Sequence, residues 1–308
     1  MKNQITDTIL MVRPQNFGFN ELTASSNAFQ VNDTSISTKE ISAKAVAEFD
    51  GFVEKLRANG IRIIVAQDSD QPVKSDAVFP NNWVSFHENG TVILYPMFAK
   101  NRRLERSEAV LNRVFETHQS TKRIDLSVFE ARNIYLEGTG SLILDRPNNI
   151  AYACVSPRTE PEAMDLFCKS LDCKEVLFEA VDEQGQLIYH TNVMMGLGVD
   201  FVVICMESIK NEAERALLES TFERTGKTII DLSFAQINAF AGNMLQVKNE
   251  AGKRFLVMSE QAFLSLTAAQ VKQIEQFTNI LHAPIYTIEK YGGGSARCMM
   301  AEVFLPKK

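Results

Sequence analysis

The chain alternates short apolar runs with polar turns, and each pair of runs is followed by the start signals of a helix. In a clear example, apolar runs at residues 141–144 and 150–155 flank the turn-forming residues 145–149. Thr159 then caps a helix that is expected to extend to about residue 170. Each such unit is predicted to contain two strands, a helix and a further strand.

The same signals recur elsewhere, with helices expected near residues 101–117, 209–225 and 267–280, and strands near 175–178, 228–231 and 284–288. Close to the N-terminus, residues 8–12 are predicted as a strand. Thr38 is predicted to cap a helix that runs to Asn59 and ends at Gly60, before a strand at 61–65. The apolar residues of this helix form one face, at positions 41, 45, 46, 49, 53 and 56.

Five short segments open in the same way, at a nearly constant spacing. They read FPNNWVSF, LEGTGSLIL, YHTNVMMG, AFAGNMLQV and GGGSARCMM. Superposing their apolar runs aligns Asn82, Gly140, Asn192, Asn243 and Cys298, with steps of 58, 52, 51 and 55 residues. Self-similarity at a fixed period indicates repeated supersecondary units. The corresponding ends of five strands are therefore expected to meet around one axis.

These units predict the α/β class and, within it, a five-bladed, pseudo-fivefold α/β propeller built from ββαβ units, with strands at the centre and helices outside. The last unit stops at Lys308, after a strand expected at 299–305. The N-terminal segment, about residues 1–66, contains the strand, helix and strand that this unit lacks, so it is expected to complete the last blade. Because no Pro/Gly/Ser-rich linker divides the chain, residues 1–308 are predicted to form a single domain.

Composition narrows the class of protein. With 308 residues, 45% hydrophobic and 23% charged, the chain is typical of a globular protein with a large core. A formal net charge of −6 argues against nucleic acid as a partner, because phosphate binding requires clustered Lys and Arg. No signal peptide or membrane-spanning stretch is recognisable, so we expect a cytoplasmic protein without membrane contacts. An odd count of five cysteines favours reduced thiols. A homo-oligomer is compatible with this composition.

The repeat brings three chemically distinct residues to one place. Cys298 follows a Gly-rich run that lets backbone approach a ligand closely, and the adjacent Arg297 favours the nucleophilic thiolate. Of the four histidines, only His190 falls at the repeated position. Glu137 lies in an apolar run, where its carboxylate is expected to meet a proton or a cation because an unpaired buried charge is costly. A thiolate, an imidazole and a carboxylate together predict covalent catalysis at an electrophilic carbon.

Other motifs carry less chemistry. The remaining four cysteines lie in apolar strands or beside a helix and are interpreted as core residues. The sequence contains no complete dinucleotide fingerprint, P-loop, HExxH or CxxC motif. We therefore predict no cofactor and no metal, and a small molecule as the partner of the site.

The motifs resemble those of the guanidino-group-modifying, or pentein, superfamily, which includes arginine deiminase, dimethylargininase, amidinotransferase and succinylarginine dihydrolase. The resemblance extends over nearly the whole chain. FPNNW, LEGTGS, HTN and GGGSARCMM are most similar to the subgroup of amidinotransferase-like, citrulline-utilisation hydrolases. The resemblance implies the pentein fold, with Cys298, His190 and Glu137 in the catalytic positions.

The same resemblance implies residues that bind an amino-acid substrate. Asp76, Asn81 and Asn82 lie in a segment similar to the one that holds the guanidinium in dimethylargininase. Arg102 and Arg158 resemble arginines that bind the substrate carboxylate. Arg13, in the turn after the first strand, is a further candidate for holding the α-carboxylate, although a surface charge is an equally good interpretation.

One departure from the superfamily concerns the charge of the substrate. Where arginine deiminases carry two aspartates that clamp the guanidinium, this chain has Asn82 and Asn192. Two amides supply N–H donors and no charge, so they would leave a guanidinium poorly compensated. A neutral ureido group, with one carbonyl acceptor and several N–H donors, fits the amides better. Of the candidate substrates, citrulline is therefore the one that we predict.

The predicted mechanism begins with attack of the Cys298 thiolate on the ureido carbon. His190 protonates the departing nitrogen and then activates water against the S-linked intermediate, while Glu137 bonds a substrate nitrogen. Citrulline would thereby give ornithine, ammonia and carbon dioxide. Three alternatives remain: a hydrolase of arginine or methylarginine, an amidinotransferase, and a binding protein of the same fold. The binding protein has no use for the three aligned catalytic residues.

Overall fold

Fifteen strands and eleven helices form the computed structural model, which describes residues 2–24 and 26–308. The strands are β1 Thr8–Arg13, β2 Arg62–Gln67, β3 Val84–Phe86, β4 Thr91–Leu94, β5 Lys122–Asp125, β6 Ile143–Asp145, β7 Ile150–Cys154, β8 Lys174–Phe178, β9 Met195–Leu197, β10 Phe201–Ile204, β11 Thr228–Asp231, β12 Leu245–Lys248, β13 Arg254–Ser259, β14 Asn279–Ala283 and β15 Ala301–Glu302. The helices are α1 Glu21–Ala24, α2 Thr38–Ala58, α3 Glu108–Phe115, α4 Gly138–Ser141, α5 Pro161–Leu171, α6 Thr191–Met194, α7 Glu212–Arg224, α8 Phe234–Asn238, α9 Glu260–Ser265, α10 Ala268–Ile274 and α11 Tyr286–Gly292.

The strands of the described residues form five sheets of three strands each, and all five are built in the same way. In each sheet the middle strand pairs antiparallel with one neighbour and parallel with the other. The sheets are β15-β1-β2, β3-β4-β5, β6-β7-β8, β9-β10-β11 and β12-β13-β14. A helix lies between the two parallel strands of each sheet, because parallel strands need a crossover. The predicted α/β class is confirmed.

The first sheet joins residues from both ends of the chain. Strand β1 pairs antiparallel with β15, where Ile9 lies opposite Glu302, and parallel with β2. The long helix α2 connects β1 to β2, and it begins where the Ser37 hydroxyl accepts a hydrogen bond from the backbone N–H of Glu40. Its buried face consists of Ile41, Ala45, Phe49, Phe52, Val53 and Leu56.

The strand predicted at residues 284–288 is wrong. Strand β14 ends at Ala283, and α11 begins three residues later. Ile285, Ile288 and Tyr291 recur at helical spacing, and all three are buried in the hydrophobic cluster that contains the apolar face of α2. Packing of these side chains against α2 therefore outweighs the strand preference of residues 284–288.

Each of the five repeated positions lies in a tight turn immediately before a strand, where the sequence pattern predicts the strand itself. Asn82 ends a 3-10 turn before β3, Gly140 lies in α4 before β6, and Asn192 lies in α6 before β9. Backbone N–H groups of Asn243 and Cys298 close similar turns by donating to the carbonyls of residues 240 and 295. The last turn shortens the strand predicted at 299–305 to the two residues of β15.

Gly140 shows how closely these turns approach one another. A Cβ atom at this position would lie 2.4 Å from Nδ2 of Asn82 and 2.8 Å from Nδ1 of His190. Any larger side chain would therefore push apart the turns that precede β3, β6 and β9. The absence of a side chain at Gly140 lets these three repeated segments meet.

The hydrophobic core consists of buried clusters between the sheets and their helices. One cluster joins the sheets that contain β7, β10 and β13, and another joins α2 to β1 and to the Cys298 turn. Among the residues that the structure describes, no helix has the length and apolar character needed to cross a membrane.

Candidate active site

The thiol of Cys298 is held by two asparagines. Its Sγ atom lies 3.3 Å from Nδ2 of Asn192 and 3.3 Å from Nδ2 of Asn243, and Cys298 is 4% exposed. Asn243 also accepts, through Oδ1, the backbone N–H groups of Arg297 at 3.0 Å and Cys298 at 3.4 Å. One side chain thus fixes the turn and donates to the sulfur. Both amide N–H groups therefore point at the sulfur from which a nucleophile would attack.

Arg297 does not provide the cation that the sequence places beside this thiol. Its guanidinium donates to the Met300 carbonyl at 2.7 Å and to Oε2 of Glu302 at 2.6 Å. Arg297 lines a different cavity from the one that Cys298 lines. The expectation of an adjacent positive charge is therefore corrected, because the buried guanidinium takes the anionic partner on β15.

His190 and Glu137 form a buried hydrogen-bonded pair. Nε2 of His190 lies 2.8 Å from Oε2 of Glu137, and the two residues are 2% and 0% exposed. The other carboxylate oxygen of Glu137 accepts the backbone N–H of Phe98 at 2.9 Å. Arg158 reaches Oε2 at 3.4 Å and Arg102 at 3.9 Å. Glu137 is therefore occupied by protein groups, and it orients the imidazole.

The pKa values of both members of this pair lie below their ordinary values. Burial would raise the pKa of Glu137, but the positive charge of Arg158 and the hydrogen bond from His190 hold that pKa well below its ordinary value. Burial lowers the pKa of His190 to about 4, against the opposing effect of Glu137. At neutral pH the carboxylate is ionised and the imidazole is neutral. Nε2 then donates to Glu137, and Nδ1 carries the free lone pair.

Arg102 lies at the centre of a second buried network. Its guanidinium donates to both carboxylate oxygens of Glu105, at 2.8 and 2.9 Å, and to Oδ1 of Asn82 at 3.0 Å. Asp76 lies 3.6 Å from Nε of Arg102 and accepts a hydrogen bond from Asn20 at 2.6 Å. Burial raises the pKa of Asp76, while the charge of Arg102 acts in the opposite direction.

Arg158 connects the pair to a segment near the N-terminus. Its side chain is 2% exposed and stacks on the ring of Tyr189, with the guanidinium carbon 4.8 Å from the ring centroid. It donates to Oγ of Ser26 at 2.7 Å. Asn27 in the same segment contacts the carbonyls of Gly292 and Gly293, each at 3.3 Å. Residues 20–24 and 26–30 therefore cover the site.

A small cavity of about 10 Å³ lies beneath this segment. The residues that line it include Asp76, Asn82, Arg102, Arg158, His190 and Cys298. Six of the ten predicted site residues thus lie around one space, and Asn192 and Glu137 contact the groups that line it. A cavity of this size holds about one water molecule and is too small for an amino acid.

Two predicted residues lie elsewhere. Arg13 forms a bidentate ion pair with Asp50, with both N–O distances at 2.7 Å, and its side chain is 34% exposed. It is not brought to the cavity, because the acidic residue on α2 holds it at the surface. Asn81 is fully buried, and its backbone carbonyl faces Gly138 and Thr139. It belongs to the same turn as Asn82, but its side chain is not among those that line the cavity.

Sequence reasoning did not assign a role to Asn243, although its position in the repeat carried the signal. Asn243 aligns with Cys298 in the fivefold superposition, and the two residues meet in the structure. Asn20 and Tyr189 were also missed. Tyr189 precedes His190 and donates its hydroxyl to the Gly293 carbonyl at 2.7 Å. Within the described ranges, no three His, Cys, Asp or Glu side chains are arranged to hold a metal ion.

The five similar sheets, with a buried thiol, imidazole and carboxylate at their turns, are in keeping with the resemblance of the motifs to the pentein superfamily. The chain belongs, within it, to the family described as N,N dimethylarginine dimethylhydrolase, eukaryotic, whose match extends over residues 13–305. This membership confirms the resemblance predicted from the motifs, and with it the prediction of a hydrolase that acts on linear C–N bonds. Among the curated proteins, none matches this sequence.

Solved structures share the fold at low sequence identity. The N-terminal domain of ArgZ, a cyanobacterial arginine dihydrolase, is 17% identical with a TM-score of 0.74, and the match covers 97% of this chain and 98% of that domain. AgrE in complex with L-arginine is 18% identical with a TM-score of 0.75, covering 98% of this chain and 40% of AgrE. A dimethylarginine dimethylaminohydrolase bound to S-methyl-L-thiocitrulline is 12% identical with a TM-score of 0.62, covering 97% and 99%.

Proposed function

We propose that this protein is a cysteine-dependent ureidase that hydrolyses citrulline to ornithine, ammonia and carbon dioxide. The observation that carries the proposal is the orientation of the Asn82 amide. Its Oδ1 accepts from Arg102 at 3.0 Å, which assigns the other atom as Nδ2. That Nδ2 is buried, and it has no hydrogen-bond partner among the described residues. A buried donor beside the cavity calls for an acceptor on the substrate.

A ureido group satisfies this donor, and a guanidinium does not. The ureido carbonyl accepts hydrogen bonds, whereas all three nitrogens of a guanidinium carry hydrogen, so the group has only donors and no acceptor. Oδ1 of Asp76 and Oδ1 of Asn192 have no partner among the described residues, so they are available as acceptors for ureido N–H groups. One donor and two acceptors complement the polar atoms of a ureido group.

Cys298 supplies the nucleophile in this proposal. As its sulfur, supported by Asn192 and Asn243, attacks the ureido carbon, Nδ1 of His190 takes the thiol proton, and His190 then gives this proton to the departing nitrogen, which leaves as ammonia. The neutral imidazole then activates the water that hydrolyses the S-linked intermediate. Glu137 acts as a positioning residue, because its carboxylate is already bonded to His190 and Phe98. This replaces the earlier expectation that Glu137 bonds a substrate nitrogen.

Arg158 is the best candidate for the α-carboxylate of the substrate. It lines the cavity, and its Nε has no partner among the described residues. Arg102 is less available, because Glu105 and Asn82 already occupy its guanidinium. Substrate entry requires displacement of the covering segment, which would free the group that Ser26 now occupies on Arg158.

The proposal extends to the architecture around the site. We infer that the five sheets are blades arranged about one axis and that residues 1–308 form one domain. Contacts among the repeated turns support a shared axis, since Asn82, Gly140 and His190 meet, as do Asn192, Asn243 and Cys298. The pairing of β1 with β15 supports a last blade completed by the N-terminal segment.

Hydrolysis of arginine or a methylated arginine is the second candidate. Asp76 favours it, because an ionised carboxylate with a free oxygen beside the cavity would compensate a guanidinium. The family description and the arginine dihydrolase with a similar fold are in keeping with this alternative.

Product analysis separates the two candidates. The protein is incubated in parallel with citrulline, arginine, dimethylarginine and agmatine, and products are identified by mass spectrometry. We expect ornithine and ammonia from citrulline. The Cys298→Ser variant is the matched control, because it keeps the cavity and removes the nucleophile. Citrulline as a product of arginine or dimethylarginine, with citrulline itself unchanged, would contradict the ureidase proposal. Turnover by the serine variant at the wild-type rate would contradict the cysteine mechanism.

A further inference from the structure

A pair of thiols lies at the end of α5, outside the candidate active site. Cys168 is on the last turn of the helix and Cys173 follows it, with Asp172 between them in the left-handed conformation at φ 53°. Backbone N–H groups of Asp172 and Cys173 both donate to the carbonyl of Cys168. A helix end of this type places the side chains of these two positions against each other. In this chain both side chains are thiols, and their Sγ atoms lie 3.1 Å apart.

One member of the pair is accessible to a small molecule. Cys173 is half-buried and lines a cavity of about 70 Å³, together with Lys2, Arg146 and Phe167. This volume admits a reagent of a few heavy atoms, since one water occupies about 30 Å³ in the liquid. Cys168 is 5% exposed behind it. By contrast, Cys154 and Cys205 are fully buried in the core.

The two thiols also differ in acidity. The hydrogen bond with Cys168 lowers the pKa of Cys173 and outweighs burial, which raises it, and the charge of Lys2 acts in the same direction as the hydrogen bond. The same contact raises the pKa of Cys168, as does burial. Cys173 is therefore the thiol that ionises first, and a thiolate is the form that reacts with oxidants.

We propose that Cys168 and Cys173 form a redox-active dithiol that a hydroperoxide converts to an intramolecular disulfide. The Cys173 thiolate attacks one oxygen of the hydroperoxide, the O–O bond breaks, and the other oxygen leaves as an alcohol or water after taking a proton. Cys173 is then a sulfenic acid. The sulfur of Cys168 attacks this sulfur, and the sulfenic oxygen leaves as water with the Cys168 proton. Two thiols are oxidised by two electrons, and the hydroperoxide is reduced.

The test uses the full chain with Cys298→Ser, so the result is independent of the proposed hydrolase mechanism. The protein is treated with hydrogen peroxide, blocked with N-ethylmaleimide and digested without reductant for mass spectrometry. Of the five cysteines, four then remain, and we expect two of these four thiols to be lost in a peptide that links Cys168 to Cys173. Reduction with a phosphine should restore both.

The Cys168→Ser variant provides the matched control. It keeps Cys173 and its cavity but lacks the second sulfur, so peroxide should leave a sulfenic acid that dimedone traps. Dimedone should trap little in the parent chain, where Cys168 removes the intermediate. A Cys173 that remains alkylatable after peroxide would overturn the proposal. A Cys173 that reaches sulfinic acid in the parent, without a link to Cys168, or a disulfide between two chains would equally overturn it.

Discussion

Replacing Asn82 by Asp tests the substrate assignment at a single atom. The substitution keeps the size of the side chain and keeps Oδ1 for Arg102, which donates to it at 3.0 Å. It converts Nδ2 from a donor into an anionic acceptor. A ureido oxygen would then face a carboxylate oxygen and lose its donor, whereas a guanidinium would gain a charged partner. We expect the ratio of kcat/KM for citrulline to that for arginine to fall.

The surrounding charges set the size of this effect. A hydrogen bond to a charged group contributes about 1.5–3 kcal/mol. Arg102 would compensate part of the new charge, so the lower end of this range applies. About 1.5 kcal/mol corresponds to a change of about tenfold in the ratio. The absolute rate is expected to fall as well, because an added anion beside the cavity repels the negative charge that develops on the substrate during attack. Asn192→Asp is a poorer test, since Nδ2 of Asn192 donates to Sγ of Cys298 at 3.3 Å.

The assay measures ammonia release for citrulline and arginine with wild type, Asn82→Asp and Asn82→Ala. The alanine variant is the control, because it removes the donor without adding charge and should lower activity on citrulline without a gain on arginine. Circular dichroism checks that all three proteins are folded. An unchanged ratio in Asn82→Asp would refute the reasoning about this amide. A wild type that turns over arginine and ignores citrulline would refute the substrate assignment itself.

His190→Ala should keep the fold and lower kcat by about 10²–10⁴-fold, as expected for one acid–base group; normal turnover would remove His190 from the mechanism. Glu137→Gln should lower kcat more than it changes KM and move the acidic limb of the pH–rate profile to lower pH, because Glu137 raises the pKa of His190; an unshifted limb would argue against a positioning role. Asn243→Ala should slow the alkylation of Cys298 by iodoacetamide about tenfold, because the sulfur loses one donor and the turn loses the side chain that holds it. Asn279→Ala, at an exposed position, is the control. Equal alkylation rates in the two variants would contradict the role of Asn243. Burial raises the pKa of Glu289 to about 7, so the wild type loses stability as the pH rises from about 4.5 through 7. The free energy of unfolding of Glu289→Gln should therefore exceed that of the wild type by up to about 3 kcal/mol at pH 8, and by nothing at pH 4. Urea unfolding at the two pH values measures this difference, and an equal effect at both would contradict it.

The repeat in the sequence was sufficient to predict which segments of the chain meet. Asn192, Asn243 and Cys298 are 51 and 55 residues apart, yet their side chains are in contact, and His190 lies against Gly140. The period carries this information because each unit contributes the same turn before the same strand. Helix α2 was equally predictable, since a continuous apolar face acts locally, but its cap is Ser37 and not the predicted Thr38. The strand predicted at 284–288 was not correct, because the packing of α11 against α2 is a tertiary effect.

The repeated pattern along the chain is enough to bring the thiol, the imidazole and the carboxylate together, whereas the partner of each polar atom depends on how distant segments pack. Arg297 and Cys298 are neighbours in sequence, but the turn sends the guanidinium to Glu302 and the thiol to two asparagines. Arg13 likewise forms an ion pair with Asp50 on α2. The physical reason is competition: a buried charge or donor takes the best partner within a few ångströms, and distant parts of the chain supply that partner.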